Sequence, residues 1–272
     1  MKTFFYGILA RIAWWTRKPP AIGSKFMTGY GRVNWWASGG RDALREDIIQ
    51  CAVNGVAIYT IEMAGWAETG AYRKAWGNDT KIKEVVACYE LAVKLCRTFG
   101  MWLHVSIVND NMGLKKYGDP GIFLRQVMDE AQALCQVIKR NGPANVLIQP
   151  VGETQTSAGV AFTEYCKREL GGFLLCNNNR SKPTSGEGMP HFAWHPFSIA
   201  EIAGAPKAAI IVSDTGLIIK QLAKDGSLDG PGSPAKLKEY VIACKVRGCP
   251  AAVYYAFKRK AHDRDAIEAL SI

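Results

Sequence analysis

Three observations on the 272 residues predict one fold class, an α/β chain built as a single (β/α)₈ TIM barrel. Eight short runs rich in β-branched and aromatic residues alternate with longer stretches of helical periodicity. Five glycines, Gly55, Gly100, Gly142, Gly171 and Gly248, each stand between the end of a helical stretch and the next apolar run, the place of a helix carboxyl cap. Eight such units also fill the length that an α/β barrel occupies as one domain. An open doubly wound sheet shares the alternation but matches the count less well.

The strands read, in order, Phe26–Trp35, Val56–Glu62, Trp102–Val108, Val146–Val151, Phe173–Cys176, His191–His195, Ala209–Asp214 and Ala252–Phe257. The helices between and after them read Asp42–Asn54, Lys81–Phe99, Pro120–Arg140, Ser157–Leu170, Pro234–Arg247 and Asp263–Leu270. The fifth and sixth units are the least regular. There Asn177–Pro190 is polar and glycine-containing and is expected to be a long loop, and Lys224–Pro234, with three glycines, is a second turn cluster. No linker divides residues 25–272, which form the expected barrel domain. Residues 1–24 precede it as a segment of their own.

That segment carries Phe4, Phe5, Tyr6, Ile8 and Leu9, then Arg11, Trp14, Trp15, Arg17 and Lys18. Arg11 interrupts the apolar centre that a signal peptide needs, and the apolar run is shorter than the roughly 20 residues that span a bilayer. The segment is therefore expected to pack against the barrel floor or to make contact with a membrane surface. The eight cysteines, at 51, 88, 96, 135, 166, 176, 244 and 249, fall on apolar segments without C-x-x-C or zinc-ligand spacing. They read as buried thiols of a chain folded in a reducing compartment, which favours cytoplasmic synthesis over secretion. With 48% hydrophobic and 21% charged residues the chain can bury a full core. The net charge of +10 favours anionic neighbours, an acidic glycan among them. No basic tract interleaved with aromatics suggests a nucleic-acid partner.

Barrels carry their chemistry on the carboxyl ends of the strands, so the polar residue that ends each apolar run is the candidate. In strand order these are Asn34 and Trp35, Glu62, Asn109 and Asp110, Gln149 and Glu153, Asn177 and Asn178, His195, Asp214, and Tyr255 with Lys258. Glu153 follows Val146-Leu-Ile-Gln-Pro-Val-Gly, where a partly apolar pocket can raise its pKa and suit it to general acid work. Asp214 ends Ile210-Ile-Val-Ser in the same manner, three strands further round. Two carboxyls across a mouth are what glycosidic cleavage requires, one protonating the leaving oxygen and the other attacking or activating water. Glu62 is a third catalytic candidate, because Ile58, Thr60 and Glu62 share one face of strand two. Each of these carboxyls can instead cap a helix or pair with a cation. Trp35, Trp36, Trp66, Trp76, Trp194 and Tyr255 gather near the same ends and offer stacking surfaces for sugars, with Asn109, Asn111, Asn177, Asn178 and His195 to bond hydroxyls.

In these residues the chain resembles the large clan of (β/α)₈ retaining glycoside hydrolases. The resemblance implies an acid/base glutamate at the end of strand four, here Glu153, and a carboxylate nucleophile at the end of strand seven, here Asp214. The clan has Asn-Glu where this chain has Gly152-Glu153, and usually glutamate where it has Asp214. The shorter side chain leaves the carboxyl separation, and so retention or inversion, open.

Two other classes remain. A glycan-binding or structural barrel without catalysis needs no carboxyl pair, and a Schiff-base lyase or aldolase needs a lysine in the mouth, for which Lys258 stands at the end of strand eight. Four scattered histidines give no metal site, and no Gly-rich phosphate loop implies a nucleotide cofactor.

Overall fold

The computed structural model describes residues 18–32, 40–64, 79–109, 128–152, 157–178, 191–194, 202, 211–214, 234–256 and 263–271. Eight strands lie among them: β1 Met27–Arg32, β2 Ile58–Ala64, β3 Trp102–Asn109, β4 Val146–Gly152, β5 Leu174–Asn178, β6 His191–Trp194, β7 Ile211–Asp214 and β8 Ala251–Ala256. Each pairs in parallel with the next, and β8 returns to pair with β1, so the sheet curls closed. The described helices are α1 Gly40–Val53, α2 Asp79–Phe99, α3 Met128–Asn141, α4 Ser157–Glu169, α5 Pro234–Arg247 and α6 Asp263–Ala269. They follow β1, β2, β3, β4, β7 and β8. The expected loop Asn177–Pro190 begins later than its composition suggests. Asn177 and Asn178 extend β5 and pair with Phe192 and Ala193 of β6, because a neighbouring strand supplies ladder partners that a loop would lack.

The strands alternate between two environments. Tyr59, Ile61, Leu103, Val105, Ile148 and Ala252 belong to a large core shared with the helices, which is why α1 to α5 turn Leu44, Cys88, Leu134, Phe162 and Tyr240 toward the sheet. Met27, Ile58, Leu147, Cys176, Ala251 and Val253 form a second, smaller cluster on the opposite face, inside the curled sheet, with Trp102 and Leu174 against it. Gly29 belongs to this inner face. A Cβ there would lie 2.7 Å from Val253 Cγ2 and 3.0 Å from Ile58 Cβ, so only glycine allows β1 to sit in register between β2 and β8. Residues before β1 lie beneath this cluster: Ile22 packs on it, and Trp102 Nε1 donates to the Pro20 carbonyl at 2.8 Å.

Three helix ends repeat one motif. Val56, Met101 and Cys249 donate backbone N–H bonds to the carbonyls of Cys51, Cys96 and Cys244, while Gly55, Gly100 and Gly248 bond the carbonyls of Ala52, Arg97 and Lys245 with φ between +67° and +81°. Gly142, at φ +78°, ends α3, and there Arg97 reaches across from α2 to bond the carbonyls of Asn141, Gly142 and Ala144. Gly171 does not take the expected left-handed cap. After α4 the chain continues with a Leu170 N–H bond to the Cys166 carbonyl and turns through Phe173 N–H to Leu170, so no positive φ is needed. All eight cysteines are buried, and none is in a disulfide. No described helix is long and apolar enough to cross a membrane.

Candidate functional site

The inner face changes character along the strands. At its amino end it is the apolar cluster around Met27 and Ile58. Two residues further along β2 stands Thr60, in register with His104 of β3, and two residues beyond these Glu62 lies in register with Ser106, which in turn pairs with Gln149 of β4. Alternation carries all five to the inside, since Tyr59, Ile61, Val105 and Ile148 face the helices. Glu62 is 9% exposed, Ser106 2% and Thr60 0%, and Gln149 and His104 are also buried. Neither the Thr60 nor the Ser106 hydroxyl has a hydrogen-bond partner among the described residues. Barrel interiors are ordinarily filled by branched apolar side chains, so a row of carboxyl, hydroxyl and amide across three adjacent strands is a costly choice in stability.

Below this row the Cys176 sulfur lies 3.6 Å from His104 Nε2, both residues fully buried. The pair has the composition of a nucleophilic dyad but not its electrostatics. Burial pushes the Cys176 thiol up from its ordinary value, away from the thiolate that attack requires. We therefore read it as a packed thiol beside a buried imidazole. Among the described residues no three His, Cys, Asp or Glu side chains converge as a metal site would need.

Of the residues the sequence singled out as strand-end candidates, Glu62 and Gln149 are those whose burial is described, and both are buried. Asp214 is the last residue of β7 and pairs with Tyr254 of β8. Tyr255 pairs with Gly31 of β1, Asn177 with Phe192 of β6, and Asn109, the last residue of β3, with Gly152, the last of β4. Asn109 and Gly152 thus share one point on the carboxyl rim, and Glu153 follows Gly152 in the chain. Glu153 itself lies outside the described residues, as do Trp35, Trp66, His195 and Lys258. Trp36, Trp76, Asn34, Asp110 and Asn111 lie outside them as well. Sequence reasoning passed over Thr60, His104 and Ser106 as site residues. Their signal was present: in Trp102-Leu-His-Val-Ser-Ile-Val-Asn109 two polar residues, His104 and Ser106, stand at alternate positions of an otherwise apolar strand.

No protein-family model matches the chain, and no curated protein matches it. Solved structures match it in fold. An endo-1,4-β-mannanase from Rhizomucor miehei superposes with a TM-score of 0.54 at 7% identity, over 88% of this chain and 92% of that one. A glycoside hydrolase family 5 protein from Bacteroides vulgatus gives 0.50 at 10% identity, over 85% of this chain but 58% of that one, so this chain spans well under two thirds of its length. A homocysteine methyltransferase from Escherichia coli gives 0.51 at 9% identity, over 91% and 96%. At such identities the likeness is one of fold. The fold and the inner face define an α/β protein with a curled parallel sheet and a polar carboxyl half, similar in architecture to glycoside hydrolases and to one methyltransferase.

Proposed function

We propose that residues 25–272 form a complete (β/α)₈ barrel, with residues 1–24 packed beneath its floor, and that the protein hydrolyses a glycosidic bond at the carboxyl ends of its strands. Glu153 is the general acid/base, Asp214 the nucleophile or general base, and Trp35, Trp66, Asn109, Asn177, His195 and Tyr255 hold the sugar. The observation that carries this reading is the buried row Glu62, Ser106 and Gln149, which makes the inner face polar just beneath the rim where β4 ends at Gly152 and β7 ends at Asp214. A closed sheet puts those two ends on one mouth, three strands apart, which is the arrangement that lets two carboxyls address one bond from opposite sides. Similarity in fold to a mannanase and a family 5 glycoside hydrolase supports the same reading, and the methyltransferase among the matches shows why the site must be tested directly.

In this mechanism Glu153 protonates the leaving oxygen as the bond to the anomeric carbon breaks. Asp214 attacks that carbon or takes the proton of the attacking water. Glu62, buried below, is the alternative partner if Asp214 proves dispensable. The test is reducing-end release from a panel of neutral and anionic polysaccharides by the wild type and by Glu153→Gln and Asp214→Asn. Wild-type hydrolysis falling by about 10²–10⁴ in Glu153→Gln is expected for loss of general acid catalysis. Activity that survives that change moves the acid elsewhere, and a silent wild type that still binds glycans points to a binding barrel.

A further inference from the structure

We propose that Cys244 and Cys249 form a reversible dithiol site at the turn between α5 and β8, in which hydrogen peroxide oxidises Cys249 and Cys244 closes the disulfide. The site lies at the amino end of β8, the opposite end from the proposed catalytic rim, and does not depend on that reading.

The end of α5 is one of the three glycine caps that share a motif, and it differs from the other two in one side chain. In such a cap the residues joined by the longer backbone bond bring their side chains into contact. At α1 these are Cys51 and Val56, at α2 Cys96 and Met101, and at α5 Cys244 and Cys249. The Cys249 N–H bonds the Cys244 carbonyl at 3.0 Å, and Gly248 holds the turn at φ +81°. The two thiols meet there, Cys244 donating to the Cys249 sulfur.

Of the eight cysteines, seven have no exposed surface and Cys249 keeps 6% of its own. Gly248 beside it is exposed, and no heavy atom lies within 4 Å of where a Cβ would stand there, which leaves room for a small molecule to approach the turn. The Cys244 thiol, then the Arg247 guanidinium and Cys249's own N–H, hold the Cys249 thiol below its ordinary value against the opposing effect of burial. Burial pushes Cys88, Cys96 and Cys176 the other way. Cys135 and Cys166 make a second contacting pair, but neither has exposed surface, and bonds from Gln136 to Tyr165 and Glu169 tie their helices together alongside them. A lowered, partly exposed thiol next to a second thiol is what separates a redox site from a packed one.

In the reaction the Cys249 thiolate attacks one oxygen of hydrogen peroxide and the O–O bond breaks. Cys249 becomes a sulfenic acid, and the departing hydroxide takes up the proton that the thiol released. The Cys244 sulfur then attacks the Cys249 sulfur, the S–O bond breaks, and the Cys244 proton leaves with that oxygen as water. Two thiols lose two electrons and one peroxide is reduced to two waters.

The experiment treats the reduced full chain with hydrogen peroxide at neutral pH, quenches at intervals, alkylates the remaining thiols in denaturant and maps every cysteine by peptide mass spectrometry. The bond between Cys244 and Cys249 is expected to form first, about tenfold faster or more than any other cysteine is lost, and to be reversed by dithiothreitol. Cys244→Ser keeps a hydrogen-bond donor but no resolving sulfur, so Cys249 accumulates as a sulfenic acid that dimedone traps. Cys244→Ala removes the donor as well, and oxidation of Cys249 slows by about tenfold. In unfolding urea Cys249 loses its lead, because the turn that sets it is gone. First oxidation at another cysteine, Cys135 and Cys166 included, a lead that persists in urea, or no oxidation of Cys249 in the folded chain overturns the proposal. The wild-type map decides the matter alone if the variants do not fold.

Discussion

The amino and carboxyl halves of the curled sheet's inner face are built from the same strands to opposite ends. In the lower half Met27, Ile58, Leu147, Ala251 and Val253 close on one another, and Gly29 is present because nothing larger fits between Ile58 and Val253. In the upper half β2, β3 and β4 turn Thr60, Glu62, His104, Ser106 and Gln149 into the same space. Burying apolar area contributes about 25 cal/mol per Å², while burying a hydroxyl without a partner costs on the order of 1–3 kcal/mol. The floor therefore holds the sheet shut, and the upper layer weakens it. A layer kept at the expense of stability sets the carboxyl half of the inner face apart from its floor.

The sharpest way to break this comparison is at the floor. Gly29→Ala drives a methyl group into Val253 and the Ile58 backbone and is expected to lower stability by about 1–3 kcal/mol, read as a lower urea midpoint with an unchanged slope. A midpoint that does not move would show that the floor is looser than its 2.7 Å approach implies.

The upper layer should respond in the opposite sense. Thr60→Val keeps the shape and removes a buried hydroxyl, so it is expected to leave stability unchanged or to raise it by up to about 1 kcal/mol, read from the urea midpoint. A loss of stability as large as that of Gly29→Ala would show that Thr60 serves the fold and would remove the contrast between the halves.

The smallest effect belongs to the outer shell. Bonds from Gln136 and Lys139 hold the Glu169 carboxyl below its ordinary pKa. A depressed folded value contributes stability above the unfolded pKa, and that contribution is lost as pH falls through the folded one. The wild type should therefore be slightly more stable than Glu169→Gln at neutral pH and converge with it in acid, as thermal unfolding across pH 2–7 would show. Curves that stay parallel over that range would show that the exposed pair contributes nothing that depends on its charge.

Much of this was legible in the amino-acid sequence. Each predicted apolar run overlaps a strand, because a parallel strand covered on both faces must be apolar nearly throughout, and Val146–Gly152 differs from its sequence reading by one residue. Gly55, Gly100, Gly142 and Gly248 announced their caps because glycine takes positive φ without steric cost, whereas Gly171 carries the same letter without needing that conformation. Asn177 and Asn178 looked like a loop because asparagine favours turns, and only the neighbouring β6 made them strand.

What the chain determined by itself is local: period, caps, the order of βα units, and the alternation that places Thr60 and Glu62 on one face. What only the tertiary structure decided is register. Nothing within β2 says that Glu62 will stand beside Ser106, or that Ser106 will stand beside Gln149, since those partners are set by how three strands far apart in sequence slide against one another until the floor around Gly29 closes. Alternation acts between residues next to each other in the chain, but a row of side chains across strands exists only once the packing of the whole sheet has chosen the offset.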